Sequence, residues 1–402
     1  MQVKPKPRLH ASWIDPFAKD IVQHLQKGGY TSYLVGGCVR DLLAGIHPKD
    51  YDIATNASPQ QVKKRVYGSY IIGRRFRLVL VKRGDQQYEV ATFRREATPE
   101  DIAKLNQEAE AADELPASGD NFFGTPEEDA LRRDFTINAL FYDPVKDELL
   151  DFANGMADME ARTLRMIGDP TKRILEDPIR TLRAIRLSHK LKFKIEDSLR
   201  EAINKNTEAL RSALLPRKRE EYLKFLRLPD PGLAFLELHD LGLMKILLPT
   251  LDEVFCQPEQ RAAFLHYLDR WSEIVWDPAN TVEMYTTFVW AYSIALGQMK
   301  DFEEKANRLM KDELGVFKAE SMAVESIFQL QGRLRDTEGF KKRGARRQQG
   351  FLKHEGLSLA LRLAKAEHLI SGSEFAFWDL LIHPSETAQN QAPADELADS
   401  AH

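Results

Sequence analysis

The pattern of apolar residues changes once along this chain, near residue 160. Before that point, short runs rich in β-branched and aromatic residues alternate with stretches of helical spacing, and from about residue 172 onward only long stretches with a helical period occur. Short runs bounded by turn residues are typical of strands, and a 3.6-residue period is typical of helices with one buried face. The first part is therefore predicted to be α/β and the second nearly all helix. The 402 residues suffice for about two to four domains.

The individual elements follow from the same patterns. Candidate strands lie near residues 32–35, 50–54, 70–82, 86–93 and 136–142. Regular helical stretches are Asp177–His189, Arg217–Leu228 and Met284–Leu296. Residues 96–120 are acidic and rich in Ala, with Pro and Gly, and are predicted to be a mobile insertion, with a short helix over 99–110 as the alternative. The polar, acidic residues 385–402 are predicted to be disordered.

A strand, a glycine turn and a helix follow one another early in the chain. Tyr33–Val35 is typical of a buried strand, Gly36 and Gly37 of a turn, and Val39–Ala44 of a helix. Glycines let the backbone approach a ligand closely, and the N–H groups at the start of a helix favour an anion. Arg40 would add a charge-assisted contact. We interpret the unit as a triphosphate site; the alternative is a tight turn with no ligand.

Two carboxylates follow this unit, in the segment that contains Asp50 and Asp52. On a strand, residues two apart point to the same side. Two close negative charges need a cation, and oxygen ligands beside a polyphosphate suit Mg²⁺. An isolated Asp-x-Asp is more often a solvated loop, but its position after an anion-binding turn favours nucleotidyl transfer.

Further charged residues could complete such a site. Glu89 is the only acid in a strand-like run, where it would be either a third carboxylate or an outward-facing residue of an edge strand. Arg132 and Arg133 could hold a polyphosphate, and Asp134 could orient one of them or approach the metal. The alternative is a helix start capped by Asp134 or Thr136.

A third group opens the helical half of the chain. Asp177, Arg180 and Arg183 are spaced three residues apart, which places them on one face if they share a helix. An acceptor beside a donor can read the edge of a base, with Asp177 accepting from an adenine amino group and Arg180 donating to a ring nitrogen. The alternative is a helix N-terminus in which Asp177 precedes Pro178 as a cap.

Two basic stretches could contact a nucleic acid backbone, although the net charge is -4. The second, Arg333–Lys353, has Phe340 and Phe351 interleaved with its basic residues. A solvated helix face is the alternative for each stretch. The candidate RNA-binding residues are Arg217, Lys218, Arg219, Lys341, Lys342, Arg343, Arg346 and Arg347.

Other features limit the class of protein. Cys38 and Cys256 are the only cysteines and lack metal-ligand spacing, so neither a disulfide framework nor a zinc site is predicted. This cysteine usage predicts a location in the reducing cytoplasm. No apolar run approaches about 18 residues and no signal core is present, so no membrane span is predicted. The Gly-x-x-x-x-Gly-Lys-Ser/Thr motif of P-loop proteins does not occur.

Five segments resemble, in order, the motifs of the bacterial class II tRNA nucleotidyltransferase and poly(A) polymerase family. They are Leu34–Asp41, Lys49–Asp52, Arg132–Asn138, Asn154–Asp158 and Glu176–Arg186. The resemblance implies an α+β fold, with a nucleotidyltransferase head that has a small, mixed, mostly antiparallel sheet, followed by all-helical neck, body and tail domains. It implies these boundaries: head 1–160, with the insertion at 96–120; neck 161–228; body 229–330; tail 331–384; and a disordered acidic end, 385–402.

The resemblance also implies roles for the candidate residues. Mg²⁺ would be bound by Asp50 and Asp52, with Glu89 or Asp134 completing the carboxylate set. The triphosphate would be held by Gly36, Gly37, Arg40, Arg132 and Arg133, and the base read by Asp177, Arg180 and Arg183. An RNA 3′-hydroxyl would attack the α-phosphorus of the nucleotide, with two metal ions assisting.

Within the family, residues 71–81 resemble the segment that distinguishes poly(A) polymerases from CCA-adding enzymes. The prediction is therefore template-independent addition of AMP from ATP to RNA 3′ ends by a monomer. CCA addition to tRNA is the alternative. The acidic end departs from the basic tail expected of some such polymerases. A non-catalytic RNA-binding protein is disfavoured because Asp50 and Asp52 are intact.

Overall fold

The computed structural model describes residues 9, 11–73, 78–101, 103, 122–275, 277–297 and 301–383. The predicted disordered end and most of the predicted insertion lie outside these residues, as do Arg74–Arg77 of the segment that favoured poly(A) addition. The chain forms two compact units, residues 1–206 and residues 207–402, which we describe separately. The division into head, neck, body and tail stays a prediction.

The first unit is built on a mixed sheet. Its strands are β1 (Ser32–Val35), β2 (Asp52–Thr55), β3 (Ser69–Ile72), β4 (Leu78–Arg83), β5 (Gln86–Thr92), β6 (Leu140–Asp143) and β7 (Glu148–Asp151). They lie in the order β3-β4-β5-β2-β1-β6-β7. Only the central β2–β5 pair is parallel, and the other described pairs in this sheet are antiparallel. The prediction of a small, mixed, mostly antiparallel sheet is therefore confirmed.

Several strand boundaries were wrong. The predicted strand at 70–82 is two antiparallel strands, β3 and β4, in which Ile72 pairs with Leu78. Gly73 follows β3 at φ 85°. The predicted strand at 136–142 begins with a 3₁₀ turn, Thr136–Asn138, and β7 was not predicted. A short parallel pair, β8 (Thr163–Leu164) with β9 (Lys194–Ile195), shows that strand structure does not end at residue 172.

Helices cover the sheet and complete the first unit. They include α1 (Pro16–Lys27), α2 (Gly37–Leu43), α3 (Pro59–Arg65), α4 (Pro126–Leu131), α5 (Gly155–Glu160), α6 (Pro170–Glu176), α7 (Ile179–Leu191) and α8 (Asp197–Lys205). Local capping explains where several begin. Ser58 and Gln61 form a capping box at α3, and Thr125 and Glu128 form another at α4. Proline follows both caps at the first helical position, where its missing N–H costs nothing.

The second unit is entirely helical in its described part. Its helices are α9 (Leu215–Leu226), α10 (Pro231–Asp240), α11 (Met244–Leu247), α12 (Pro249–Phe255), α13 (Pro258–Asp269), α14 (Trp271–Ile274), α15 (Thr281–Leu296), α16 (Phe302–Arg308), α17 (Lys318–Leu334), α18 (Thr337–Lys341), α19 (Ala345–Leu352), α20 (Leu357–Ala366) and α21 (Gly372–Ile382). A π-helical turn, Leu309–Glu313, follows α16. Its last helices pack around Trp378, which is fully buried and donates from Nε1 to the carbonyl oxygen of Leu334 at 2.8 Å. None of the helices in the described residues has the length and apolar character that a bilayer-spanning segment needs.

Close packing explains why the Asn154–Asp158 segment contains a glycine. Gly155 begins α5, and a Cβ there would lie inside contact distance of the Thr136 carbonyl oxygen and 3.0 Å from Leu140. Asp151 fixes the same turn by accepting from the Gly155 N–H at 2.8 Å. The backbone must therefore approach Thr136 closely, and only glycine allows it.

We expect Gly155→Ala to lower the free energy of unfolding of the first unit by about 1–3 kcal/mol, because the neighbouring backbone cannot yield without strain. Chemical denaturation followed by circular dichroism measures the change. Gly350→Ala is the matched control: Gly350 lies inside α19 and has open space around its Cβ position. That change should stabilise α19 by about 0.5–1 kcal/mol. A stability unchanged by Gly155→Ala would contradict the close approach.

Candidate active site

Two carboxylates lie side by side at the centre of the sheet. Asp52 is the first residue of β2, and Glu89 lies opposite it in the parallel pair with β5. Residues in register on neighbouring strands share a face, with their strands about 4.8 Å apart. Asp52 and Glu89 line one cleft of about 390 Å³ together with Arg132 and Arg133. The register that joins β2 to β5 therefore brings together acids that are distant in sequence.

The arginines near this cleft do not fully balance the negative charges of its carboxylates. Desolvation by the surrounding protein raises the pKa of Asp52 to about 6, and the negative charges of Glu89 and Asp50 contribute to that rise. Arg133 and Arg40 act in the opposite direction without cancelling it. Bringing carboxylates together at such a cost fits a site for a divalent cation, and oxygen ligands suit Mg²⁺.

Asp50 occupies a different position from the one predicted. It precedes β2 by two residues and so lies outside the strand. Like Asp52 and Glu89 it is exposed, and its charge still reaches Asp52. Asp50, Asp52 and Glu89 do not place three ligand atoms within 4.8 Å of one another; among the described residues only a cluster in the second unit does so. The pair most closely held by the sheet is Asp52 with Glu89.

Arg133 lies against the glycine turn and beside the carboxylates. Its guanidinium lies over the ring of Phe141, 5.1 Å from the centroid. Gly36 has φ 73° at the start of α2, and a Cβ there would lie 2.9 Å from Nη1 of Arg133. Glycine is therefore required for both backbone and space. The buried Nε of Arg133 has no hydrogen-bond partner among the described residues, which leaves a donor for an anion.

Asp129 fixes both arginines and was not predicted. Its side chain is buried, 4% exposed, and pairs with Arg132 at 3.2 Å and with Arg133 at 2.9 Å. Arg173, also buried, donates to the carbonyl oxygens of Arg132 and Arg133 at 2.7 and 3.0 Å. The signal for Asp129 was present in the sequence, because an acid three and four residues before two arginines forms helical ion pairs.

Contacts inside the first unit hold Arg40. Its side chain is buried and donates to Asp41 at 2.7 Å and to Asn138 at 2.7 Å. Its role at the triphosphate stays a prediction. Asp41 also accepts from Lys190 at 2.7 Å. These contacts tie α2 to α7 and leave Gly37, the first residue of α2, as the part of the predicted phosphate loop next to Gly36.

Asp134 and Glu89 were the two candidates for a third carboxylate, and the structure separates them. Asp134 accepts from Arg183 at 2.6 Å, from Asn138 at 2.9 Å and from the Phe135 N–H at 2.9 Å. Burial would raise the pKa of Asp134, but the charge of Arg183 and these hydrogen bonds lower it below its usual value. Asp134 thus holds Arg183 in place, whereas Glu89 lies beside Asp52.

The predicted base-reading residues do not share one helical face. Asp177 lies between α6 and α7 with an extended backbone, φ −146°, because Pro178 starts the next helix. Arg180 donates to the carbonyl oxygen of Arg173 at 2.6 Å and to Glu176 at 3.0 Å. Arg183 contacts Asp134 instead. The prediction that all three lie on one helix was wrong, and their role in base reading stays a prediction.

Part of the first basic stretch makes packing contacts within the second unit. Arg219 pairs with Glu320 at 2.8 Å and lies over the ring of Phe317, 4.0 Å from its centroid. Lys218 has its pKa lowered by burial and by the charge of Arg211. Arg217 is exposed. Arg219 therefore packs α9 against its neighbours, and Arg217 is the member of this stretch most open to a ligand.

The second basic stretch is more exposed. Lys341 pairs with Glu338 at 2.6 Å and Arg343 lies 3.7 Å from Asp336. The exposed residues are Lys341, Lys342, Arg346 and Arg347. The interleaved aromatics Phe340 and Phe351 are buried and pack against Trp378, and the RNA-binding role of the stretch stays a prediction.

Known families match two parts of the chain. Residues 32–165 match the Poly A polymerase head domain, and residues 192–255 match the family described as the probable RNA and SrmB-binding site of polymerase A. The first match contains the whole sheet described above and the cleft at its centre. The second lies mostly in the helical unit.

Individual relatives belong to two kinds of enzyme. Poly(A) polymerase I of Haemophilus influenzae is 40% identical over 247 residues, which are 61% of this chain and 54% of the relative. The CCA-adding enzyme of Lactobacillus helveticus is 38% identical over 218 residues, which are 54% of this chain and 51% of the relative. The chain thus spans about half the length of these curated relatives.

Solved structures share the fold over nearly the whole chain. The CCA-adding enzyme of Bacillus stearothermophilus in complex with CTP superposes with a TM-score of 0.62 at 24% identity, covering 92% of this chain and 82% of that one. The Thermotoga maritima CCA-adding enzyme complexed with tRNA gives a TM-score of 0.58 at 20% identity, covering 95% of this chain and 86% of that one. At these identities the likeness shows the fold.

Proposed function

We propose that this chain, whose residues 32–165 and 192–255 match the Poly A polymerase head domain and the probable RNA and SrmB-binding site of polymerase A, is a member of the class II tRNA nucleotidyltransferase and poly(A) polymerase family and transfers nucleotides to RNA 3′ ends. Relatives of both kinds carry names of RNA 3′-terminal nucleotidyltransferases. The proposal extends that chemistry to a chain that spans about half their length.

One observation carries the proposal. The paired carboxylates Asp52 and Glu89 line the same cleft as Arg132 and Arg133, with the glycine turn beside Arg133. Acids on one side and arginines on the other match a metal-bound polyphosphate, which has both a positive and a negative part. We assign the cation to Asp52 and Glu89, with Asp50 nearby, and the phosphates to the arginines and the helix start.

The residues bind and orient the reactants without forming covalent bonds to them. A bound Mg²⁺ supplies charge neutralisation and lowers the pKa of an attacking hydroxyl. The RNA 3′ oxygen forms the bond to the α-phosphorus while the bond from that phosphorus to pyrophosphate breaks. Asp129 and Arg173 hold Arg132 and Arg133 in position for the leaving pyrophosphate, and Asp134 holds Arg183.

The finer proposal is poly(A) addition from ATP. Poly(A) polymerase I relatives of several bacteria are 39–40% identical, although a CCA-adding enzyme is nearly as similar at 38%. CCA addition to tRNA is the second candidate, favoured by the CCA-adding enzyme that is 38% identical over 218 residues. We propose that RNA 3′ ends and ATP are the partners of this protein and that it is a monomer. We also propose a cytoplasmic location, because two free cysteines suit a reducing compartment.

We expect the purified protein with Mg²⁺ to extend a generic RNA primer by many adenylates. The measurement offers each labelled nucleoside triphosphate separately, to that primer and to a tRNA that lacks its terminal CCA, and resolves the products on a gel. Addition of only two cytidylates and one adenylate to the tRNA would contradict poly(A) addition and support the second candidate. Absence of incorporation on every primer would contradict transfer altogether.

A further inference from the structure

A cluster of three different metal-ligating side chains lies in the second unit, outside the candidate active site. It consists of His239 in the last turn of α10, Asp252 in α12 and Cys256, the residue that follows α12. The ligand atoms that these residues offer all lie within 4.8 Å of one another. Sequence spacing predicted no zinc site, because His239 and Cys256 belong to different helices and come together only when α10 packs against α12.

Asp252 already joins the other two residues. Its Oδ1 lies 2.8 Å from Nδ1 of His239, and its Oδ2 accepts from the Cys256 Sγ at 3.9 Å. Asp252 and Cys256 are four residues apart and so share one face of the helix. The ring of His239 packs against Phe255, with centroids 5.6 Å apart, which limits its rotation. The Asp252 carboxylate thus contacts the ligand atoms of both His239 and Cys256, and a cation could bind between these three groups.

We propose that His239, Asp252 and Cys256 form a binding site for Zn²⁺ or a similar borderline-soft divalent ion. Nitrogen, oxygen and thiolate sulfur together match the preferences of Zn²⁺, whereas Mg²⁺ and Ca²⁺ select oxygen alone. Ligands of a tetrahedral zinc ion at about 2.0–2.3 Å lie roughly 3.3–3.8 Å apart. The observed spacings of 2.8 and 3.9 Å lie close to that range, so small side-chain rotations suffice.

The exposure of the cluster agrees with an exchangeable site. Cys256 is exposed, while the side chains of His239 and Asp252 are 18% and 19% exposed. An ion can therefore enter from the Cys256 side, and three protein ligands leave a fourth position for water. Binding releases the thiol proton and requires the histidine to be neutral.

A histidine–carboxylate pair by itself is an ordinary structural contact and would not point to a metal. The third ligand makes the difference, because Cys256 adds a thiol to a contact that is already complete without it. A bound ion would link α10 to α12, and the expected result is a stabilised second unit. This proposal does not depend on nucleotidyl transfer, since it concerns other residues and another ion.

The test uses the full chain, freed of metal with a chelator, and Co²⁺ as a spectroscopic substitute for Zn²⁺. We expect one equivalent of Co²⁺ to produce a thiolate-to-metal charge-transfer absorption, which Zn²⁺ then abolishes by displacement. Cys256→Ser should remove the absorption, and His239→Ala should weaken Zn²⁺ binding by at least about tenfold. Zn²⁺ should raise the unfolding temperature of the unaltered chain but not of Cys256→Ser.

Two comparisons make the result decisive. Cys38 is buried and stays in every protein, so an absorption that persists in Cys256→Ser would overturn the site. His266→Ala, which removes an exposed histidine of α13, is the matched control and should leave Zn²⁺ affinity unchanged. Unaltered affinity in His239→Ala, or no absorption in the starting protein at saturating Co²⁺, would also overturn it.

Discussion

Asp52→Asn should lower the rate of nucleotide transfer by at least about 10³-fold while RNA binding is retained. The asparagine keeps the size of the side chain but removes the negative charge that lies opposite Glu89 in the β2–β5 pair. Charge neutralisation by a bound metal is worth several kcal/mol in such reactions, and about 1.4 kcal/mol corresponds to tenfold in rate. Primer extension under single-turnover conditions measures the rate, and a filter-binding assay measures RNA affinity.

Asp20→Asn provides the matched control for this change. Asp20 is a half-exposed carboxylate of α1 that pairs with His24 and does not line the cleft. Transfer by this variant should be unchanged. Near-normal transfer by Asp52→Asn would remove Asp52 from the site, and loss of RNA binding together with transfer would indicate a folding defect in its place.

Arg133→Ala should lower transfer by roughly 10²-fold or more, because a preorganised cationic donor at the phosphates is lost. Arg133 lies beside the glycine turn, and its charge acts on Asp52. The loss should appear in the rate at saturating ATP as well as in the apparent affinity for ATP, since the proposed contact with the phosphates would persist throughout the reaction. Steady-state kinetics with varied ATP separates the two.

A second arginine of the first unit gives the comparison. Arg165, whose side chain is 45% exposed, pairs with Asp158 and Glu196 and does not line the cleft, so Arg165→Ala should retain transfer within about twofold. Arg133→Lys should restore only part of the activity, because an ammonium lacks the fork that contacts two phosphate oxygens. Full activity in Arg133→Ala would end the assignment of the phosphates to this residue.

Sequence patterns predicted the strands and the carboxylates of the site better than the partners of the arginines. β1 and β5 fall within a residue of their predicted positions, because strand composition and turn residues act locally. Its position in a strand made Glu89 a candidate for the third carboxylate, but the sequence did not favour Glu89 over Asp134 for that role. That choice depends on the β2–β5 register and on Arg183, and both are contacts between residues far apart in the chain.

The same limit applies to two other residues. The position of Arg40 after two glycines did not reveal that Asp41 and Asn138 bind its side chain in the interior. Asp177 looked helical because its spacing from Arg180 is regular, yet Pro178 separates the two helices. Spacing fixes which residues can share a face, whereas burial decides which of the available partners each charge takes.

The shared carboxylate of Asp129 makes its two arginines interdependent. Exchanging either one for an uncharged residue leaves a buried acid with half of its compensation, a penalty that arises from folding and not from chemistry. Substitutions that conserve stability here would therefore change all three residues in concert. A single change such as Arg133→Ala affects stability as well as transfer, so its unfolding has to be measured beside its rate.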